Sequence, residues 1–106
     1  MSEVLGGFEH KVLLAMMRLG SRAYSVPIVR ELEELTGRGV APAAVYVTLR
    51  RLEKRGLLTS TMVPPAHGEG GRARRVFEVT PEAVHLLRDA RRELALLWEG
   101  IEALDV

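Results

Sequence analysis

From Ala83 onward one apolar residue recurs at alternating steps of 4 and 3: Ala83, Leu87, Ala90, Leu94, Leu97, Ile101 and Leu104. Such steps keep every member on one stripe of a helix, the seam of a coiled coil. Thr80-Pro81-Glu82 opens that helix. It supplies a capping hydroxyl, a proline where no intrahelical amide is needed, and a carboxylate at the positive end of the dipole. Carried almost to Val106, the helix would be about 35 Å long at 1.5 Å per residue. A chain of 106 residues folds as one domain around a modest core. The short elements that precede Thr80 cover only part of so long a stripe, so the seam predicts self-association.

Those elements are legible in turn. Phe8, Val12, Ala15 and Leu19 stand 4, 3 and 4 apart with Gly20 behind them, which predicts a helix from about Gly7 to Leu19. Ser21 to Tyr24 reads as a turn. Ser25 is placed to cap a second helix with Pro27 in its first turn, Ile28, Leu32 and Leu35 as its buried stripe, and Gly37 with Gly39 as its stop. A third helix starts near Pro42, buries Val45, Leu49 and Leu52, and ends at Gly56. Leu57 to Val63 alternates and is rich in β-branched residues, a strand; PPAHGEGG is a turn-forming loop; Arg72 to Thr80 returns with Phe77 and Val79 on one face. The predicted fold is mainly α with a β-hairpin: a winged helix-turn-helix over residues 1–80 and a long C-terminal dimerisation helix over 81–106, joined in one compact unit.

Charge is segregated along this plan. Residues 1–37 hold four Lys/Arg against five Asp/Glu, residues 38–80 hold eight against three, and residues 81–106 hold three against six. A cationic middle between two mildly acidic ends points to an anionic partner for that middle alone. The bland alternative is a solvated face whose charges pair within the fold.

The third helix weighs against the bland reading. With Val45, Leu49 and Leu52 inward, its opposite face carries Ala43, Val47, Arg50 and Lys54, flanked by Tyr46 and Arg51. Cations near a helix C-terminus need no ligand to explain them. Small apolar residues on the same outward face are not explained that way, and they suit a backbone that approaches base edges. Ala43 and Val47 could meet thymine methyls, Arg50 a guanine or a phosphate, and Arg51 and Lys54 phosphates. The hairpin adds a second sign. GEGGRARR presents Arg72, Arg74 and Arg75 behind a glycine-rich tip, the composition that enters a narrow minor groove.

In order, LGGFEHKVLLAMMRLG at 5–20, AYSVPI at 23–28, TGRGVAPAAVYVTLRRLEKRGLL at 36–58 and GEGGRARRVFEVT at 68–80 resemble the PadR family of transcriptional regulators. The resemblance spans nearly the whole chain. It implies a homodimeric winged-helix repressor on a double-stranded DNA operator, its last helix clasped against the partner's first. It further implies that Tyr24 and Tyr46 lie near the DNA backbone, Pro42 at the start of the reading helix, and Gly70, Gly71 and Arg72 at the wing. It places Phe8, Leu87, Leu94, Leu97, Trp98, Ile101 and Leu104 at the dimer interface. The chain departs from the family pattern at Ala41, where a capping serine is usual, at Ser25 for glycine, at Phe77 for tyrosine and at Ala83 for glycine. Its single C-terminal helix is similar to the short subclass.

Trp98 is the one tryptophan, a step off the seam. It either stacks a planar apolar effector at the two-fold axis, as the resemblance implies for short members, or packs under the partner's first helix against Phe8 or Met16. His10, His67 and His85 have no ligand spacing, and no nucleophile elbow, phosphate-binding glycine loop or paired carboxylates appear. Neither an enzyme nor a cofactor is expected. No cysteine is present, the longest apolar run is the six residues Val12 to Met17, and no cleavable leader is recognisable. The expected setting is cytoplasmic, without a membrane. Two rivals remain from other classes: a winged-helix protein-interaction module that binds no nucleic acid, and a small-molecule carrier.

Overall fold

The computed structural model describes residues 4–65 and 70–101. His67 and Leu104 therefore lie outside the described residues. The elements run α1 (Gly7–Arg18), β1 (Arg22–Ala23), α2 (Ser25–Thr36), α3 (Pro42–Lys54), β2 (Leu58–Val63), β3 (Arg74–Val79) and α4 (Pro81–Trp98). The strands form one antiparallel sheet in the order β1-β3-β2. Winged helix-turn-helix is the architecture observed.

The core is the meeting of three helical stripes with one face of the sheet. Val12, Leu13 and Met16 of α1, Ile28 and Leu32 of α2, and Val45, Leu49 and Leu52 of α3 are buried together. Leu57, Leu58 and Phe77 close the cluster from the sheet side. Gly56, at φ +78°, makes the reversal from α3 into β2, a conformation that a side chain would strain. Thr80 fastens α4 to that corner. Its Oγ1 faces the carbonyls of Gly56 and Leu57, each at 3.0 Å, and accepts from the Ala83 amide at 3.3 Å.

Four details differ from the sequence reading. The segment taken as a turn contains β1, which pairs Arg22 with Glu78 and Ala23 with Phe77. Two residues are too short to carry a period, so only the edge of β3 defines them. Tyr24, not Ser25, is the N-cap of α2 and makes no side-chain cap; Ser25 is already helical. Leu35 completes the stripe on paper but is 57% exposed, because α2 closes at the left-handed Gly37 just beyond. Thr36 there donates to the Leu32 carbonyl at 2.7 Å.

The fourth difference concerns the seam. Helix α4 ends at Trp98, with Glu99 as C-cap and Gly100 at φ +82°, so Ile101 stands outside it. Its 18 residues span about 27 Å, shorter than the periodicity alone implies. Only Ala83 and Leu87 of α4 are fully buried, and every residue from 91 to 100 is exposed.

The two ends of the helical core are joined by a buried carboxylate. Glu9 accepts from the Gly6 amide at 2.8 Å, completing the first turn of α1, and from Arg55 Nη1 at 2.7 Å, just past α3. Arg55 Nη2 also donates to the Val4 carbonyl at 3.0 Å. Burial pushes the Glu9 carboxyl up, but the Gly6 and Arg55 hydrogen bonds and the charges of Arg55 and Arg51 outweigh it and hold it below its ordinary 4.5. A depressed carboxylate contributes stability above its unfolded value, and that contribution is lost as pH falls through the folded one. Glu9→Gln should therefore cost about 1–3 kcal/mol near neutrality. In urea unfolding at stepped pH, its deficit against the parent chain should shrink below pH 4.5.

Candidate nucleic-acid interface

Helix α3 divides cleanly into two faces. Val45, Leu49 and Leu52 are wholly buried, and Thr48 beside them is nearly so. Pro42 occupies the first turn behind an N-cap, Ala41, that offers no side-chain bond. On the other face Pro42, Ala43, Tyr46, Val47, Arg51 and Lys54 are exposed. Val47 is 55% exposed although apolar and β-branched, so it serves no core function in the protomer. Arg50 is half-exposed, its Nε 3.7 Å from Glu53 Oε1.

The hairpin lies alongside. β2 pairs with β3 from Leu58↔Val79 to Val63↔Arg74, and β2 packs on α3. Alternation sends Arg75, Phe77 and Val79 to the helix side and Arg74 to the other. Phe77 is fully buried, and the edge of Tyr46 meets it at 6.1 Å between centroids and 78° between planes. That contact fixes the Tyr46 ring at the boundary of core and surface. Tyr24 is braced independently: Arg74 stacks over its ring at 4.4 Å. Gly70, Gly71 and Arg72 are exposed at the end of the hairpin, with Gly71 at φ +126°, which only glycine adopts without strain.

The structure thus separates the three arginines that look equivalent in sequence. Arg72 is at the tip, Arg74 is stacked on Tyr24, and Arg75 is turned inward, donating to Ser60 Oγ at 3.0 Å. Sequence reasoning missed Glu53 and Ser60, which are joined at 2.6 Å. A signal existed for half of this, since Arg50 and Glu53 stand one helical turn apart. The partnership with Ser60 depends on tertiary packing and left none.

Residues 13–88 match the model of the transcriptional regulator PadR-like family. The chain belongs to that family. Its members are transcriptional regulators of the winged-helix, DNA-binding kind, which sets an enzyme aside. No curated protein matches the chain. Among solved structures, a PadR-family regulator from Eggerthella lenta is 28% identical, with a TM-score of 0.68 over 88% of this chain and 79% of that one. A PadR-like transcription factor from Bacteroides fragilis is 22% identical, with a TM-score of 0.76 over 92% and 88%. An organohalide-sensing regulator solved with 2,4-dichlorophenol is 18% identical, with a TM-score of 0.68 over 93% of this chain and 52% of that one. The last two likenesses are of fold.

This PadR-like chain has a second surface, between α1 and α4. His10, Leu14 and Met17 from α1 and Leu87, Leu94 and Trp98 from α4 line a largely apolar groove of about 680 Å³. Leu94, Leu97, Trp98 and Ile101 frame a smaller hollow of about 190 Å³ at its end. Leu87 is the floor of the groove and is buried in the protomer's own core rather than standing free. Met16 is wholly buried and cannot face Trp98 or a partner. Phe8 lies apart from Trp98, beside Lys11, Leu32 and Thr36. Trp98 is 55% exposed. No helix among the described residues is long and apolar enough to cross a membrane.

Proposed function

We infer that this PadR-like regulator is a sequence-specific repressor, acting as a homodimer on a roughly palindromic operator and released or engaged by a planar apolar effector. The observation that carries the DNA reading is the outward face of α3. It holds exposed small and apolar residues beside cations, and the hairpin packs on the same helix through β2. In this reading Ala43, Val47 and Arg50 approach bases, Pro42 begins the reading helix at the DNA surface, and Tyr24, Tyr46, Arg51 and Lys54 meet phosphates. Gly70, Gly71 and Arg72 enter the minor groove. Residues 1–80 are the reading head and 81–106 the dimerisation segment, and the protein works in the cytoplasm with its DNA.

Homodimerisation is supported by what α4 leaves uncovered. Leu94, Leu97, Trp98 and Ile101 are all exposed, and the α1–α4 groove is largely apolar. A two-fold pairing places the end of one α4 in the groove of the other protomer. Trp98 then lies at the junction of both copies. The fold relative that holds 2,4-dichlorophenol offers an example of a flat apolar ligand in such a regulator. Here an aromatic beside an apolar hollow supports the same class of effector.

The DNA reading is tested by duplex binding across ionic strength. Each phosphate contact adds about 1 to the slope of log affinity against log salt. Lys54→Ala and Arg51→Ala should each lower that slope by about 1 and weaken random and selected duplexes alike. Salt-independent binding, or none at low salt, would favour a protein-interaction module instead. Dimerisation is tested by Leu97→Glu, a charge placed in the seam, which should halve the sedimenting mass while leaving the helical spectrum intact. The effector is tested by titrating Trp98 fluorescence with chlorophenols and flat heteroaromatics. Saturable quenching or a blue shift is expected, and an inert tryptophan would remove the ligand-responsive part of the reading.

A further inference from the structure

Glu53 stands on α3 one turn past Arg50, and its two carboxylate oxygens have different partners. Oε1 lies 3.7 Å from Arg50 Nε, whereas Oε2 accepts a 2.6 Å hydrogen bond from Ser60 Oγ on β2. Ser60 Oγ accepts in turn from Arg75 Nη1 on β3 at 3.0 Å. A hydroxyl has one proton to give and lone pairs to receive, so Ser60 serves both neighbours at once. The order is set by charge: guanidinium to hydroxyl, hydroxyl to carboxylate, each bond strengthened by an ion at one end. Glu53, Ser60 and Arg75 are all half-buried, which limits competition from water.

The backbone ties the corner between α3 and β2, through the Leu57 amide on the Leu52 carbonyl at 3.0 Å, but not the hairpin beyond it. The strands bond to one another, but among the described residues the Ser60–Glu53 bond is the side-chain hydrogen bond that joins the hairpin to α3. The other ties are apolar: the edge contact of Tyr46 with Phe77, and the burial of Leu58 and Phe77 in the core shared with α3. An apolar edge contact tolerates sliding. A hydrogen bond at 2.6 Å does not.

The geometry points to a positioning device: Glu53, acting through Ser60 and Arg75, sets the angle at which the hairpin projects beside α3. Arg75 is thereby a strut of the protein and not a third wing cation. The consequence for operator recognition rests on the DNA reading above, but the angle itself is a property of the protomer. Ser60 and Glu53 are positioning residues in this scheme and touch no base.

The chain has no cysteine, so labels can be placed at will. Val47→Cys on α3 and Met62→Cys on β2 replace exposed side chains and carry one spin label each. Labelled chain is diluted into unlabelled chain so that each assembly holds one pair. The parent should give one narrow distance population, with Ser60→Ala and Glu53→Gln giving a broadened or shifted one. Ser60→Thr should restore the parent distribution, because it keeps the hydroxyl and suits a strand. An unchanged distribution in Ser60→Ala, or equal broadening in Ser60→Thr, would overturn the strut.

On duplex DNA, the affinity lost through Arg72→Ala should shrink by about threefold or more in the Ser60→Ala background, the coupling of parts held in one register. Broadened distances in a chain that binds no duplex would leave the strut standing and remove the DNA reading. Unaltered distances with salt-dependent duplex binding would do the reverse.

Discussion

Everything in this molecule depends on the burial of one face of α3. Val45, Leu49 and Leu52 meet α1, α2 and Phe77 with no exposed surface left. Each such side chain is worth about 1.5–3 kcal/mol relative to an exposed one. Because that stripe is satisfied, the opposite face has no packing to do, and residues that would be costly or idle elsewhere can be held there in a fixed orientation. Val47 illustrates the point. An apolar residue more than half exposed at mid-helix is unremarkable alone, but its helix is pinned on the other side, so its position is as definite as that of a core residue.

The same constraint governs the reach of the hairpin. Phe77 is core to the helices and a platform for Tyr46, so apolar packing holds the sheet against the helices, while the Glu53–Ser60 bond limits its slide along α3. β1, short as it is, fixes the far side of β3 and brings Tyr24 under Arg74. The two tyrosines are therefore held by different mechanisms on opposite faces of one sheet. Losing one stack would leave the other intact.

The helical stripes of α1 and α3, the Pro42 start and the Thr80 cap were legible because they are local: periodicity, a proline and a capping hydroxyl act within one turn. What was not legible is non-local. β1 exists only because β3 has a free edge, and Tyr24 stands at the N-cap position of α2, without a capping bond, because β1 delivers it there. Leu35 and Leu97 obey the same spacing rules as buried neighbours, yet both are exposed. Spacing states which side of a helix is apolar, and only tertiary structure states whether anything covers it. The seam of α4 overran for a related reason. Ile101 continues the arithmetic beyond Gly100, but a left-handed glycine ends the helix whatever the pattern downstream.

Segregated charge gains meaning once the pairs are placed. The acid of α3 offsets little of the cationic middle, for Glu53 accepts from Ser60 at 2.6 Å and meets Arg50 only at 3.7 Å. The Glu9–Arg55 bridge works from outside the segment, removing one cation from the surface to tie α1 to the end of α3. Arg55 and Arg75 are thus held by the protomer, while Arg51 and Lys54 stand exposed on α3 and Arg72 at the hairpin tip. Part of the excess positive charge counted along the sequence therefore stands on the outward face of α3 and at the hairpin tip. A field built this way acts at a distance comparable to the Debye length, about 8–10 Å at ordinary salt, and so orients the approach of a polyanion before any contact forms. In the proposed DNA reading, the small residues of α3 act only afterwards, at contact. In that reading, attraction and discrimination fall to different residues of a single helix face, and both depend on the same buried stripe behind it.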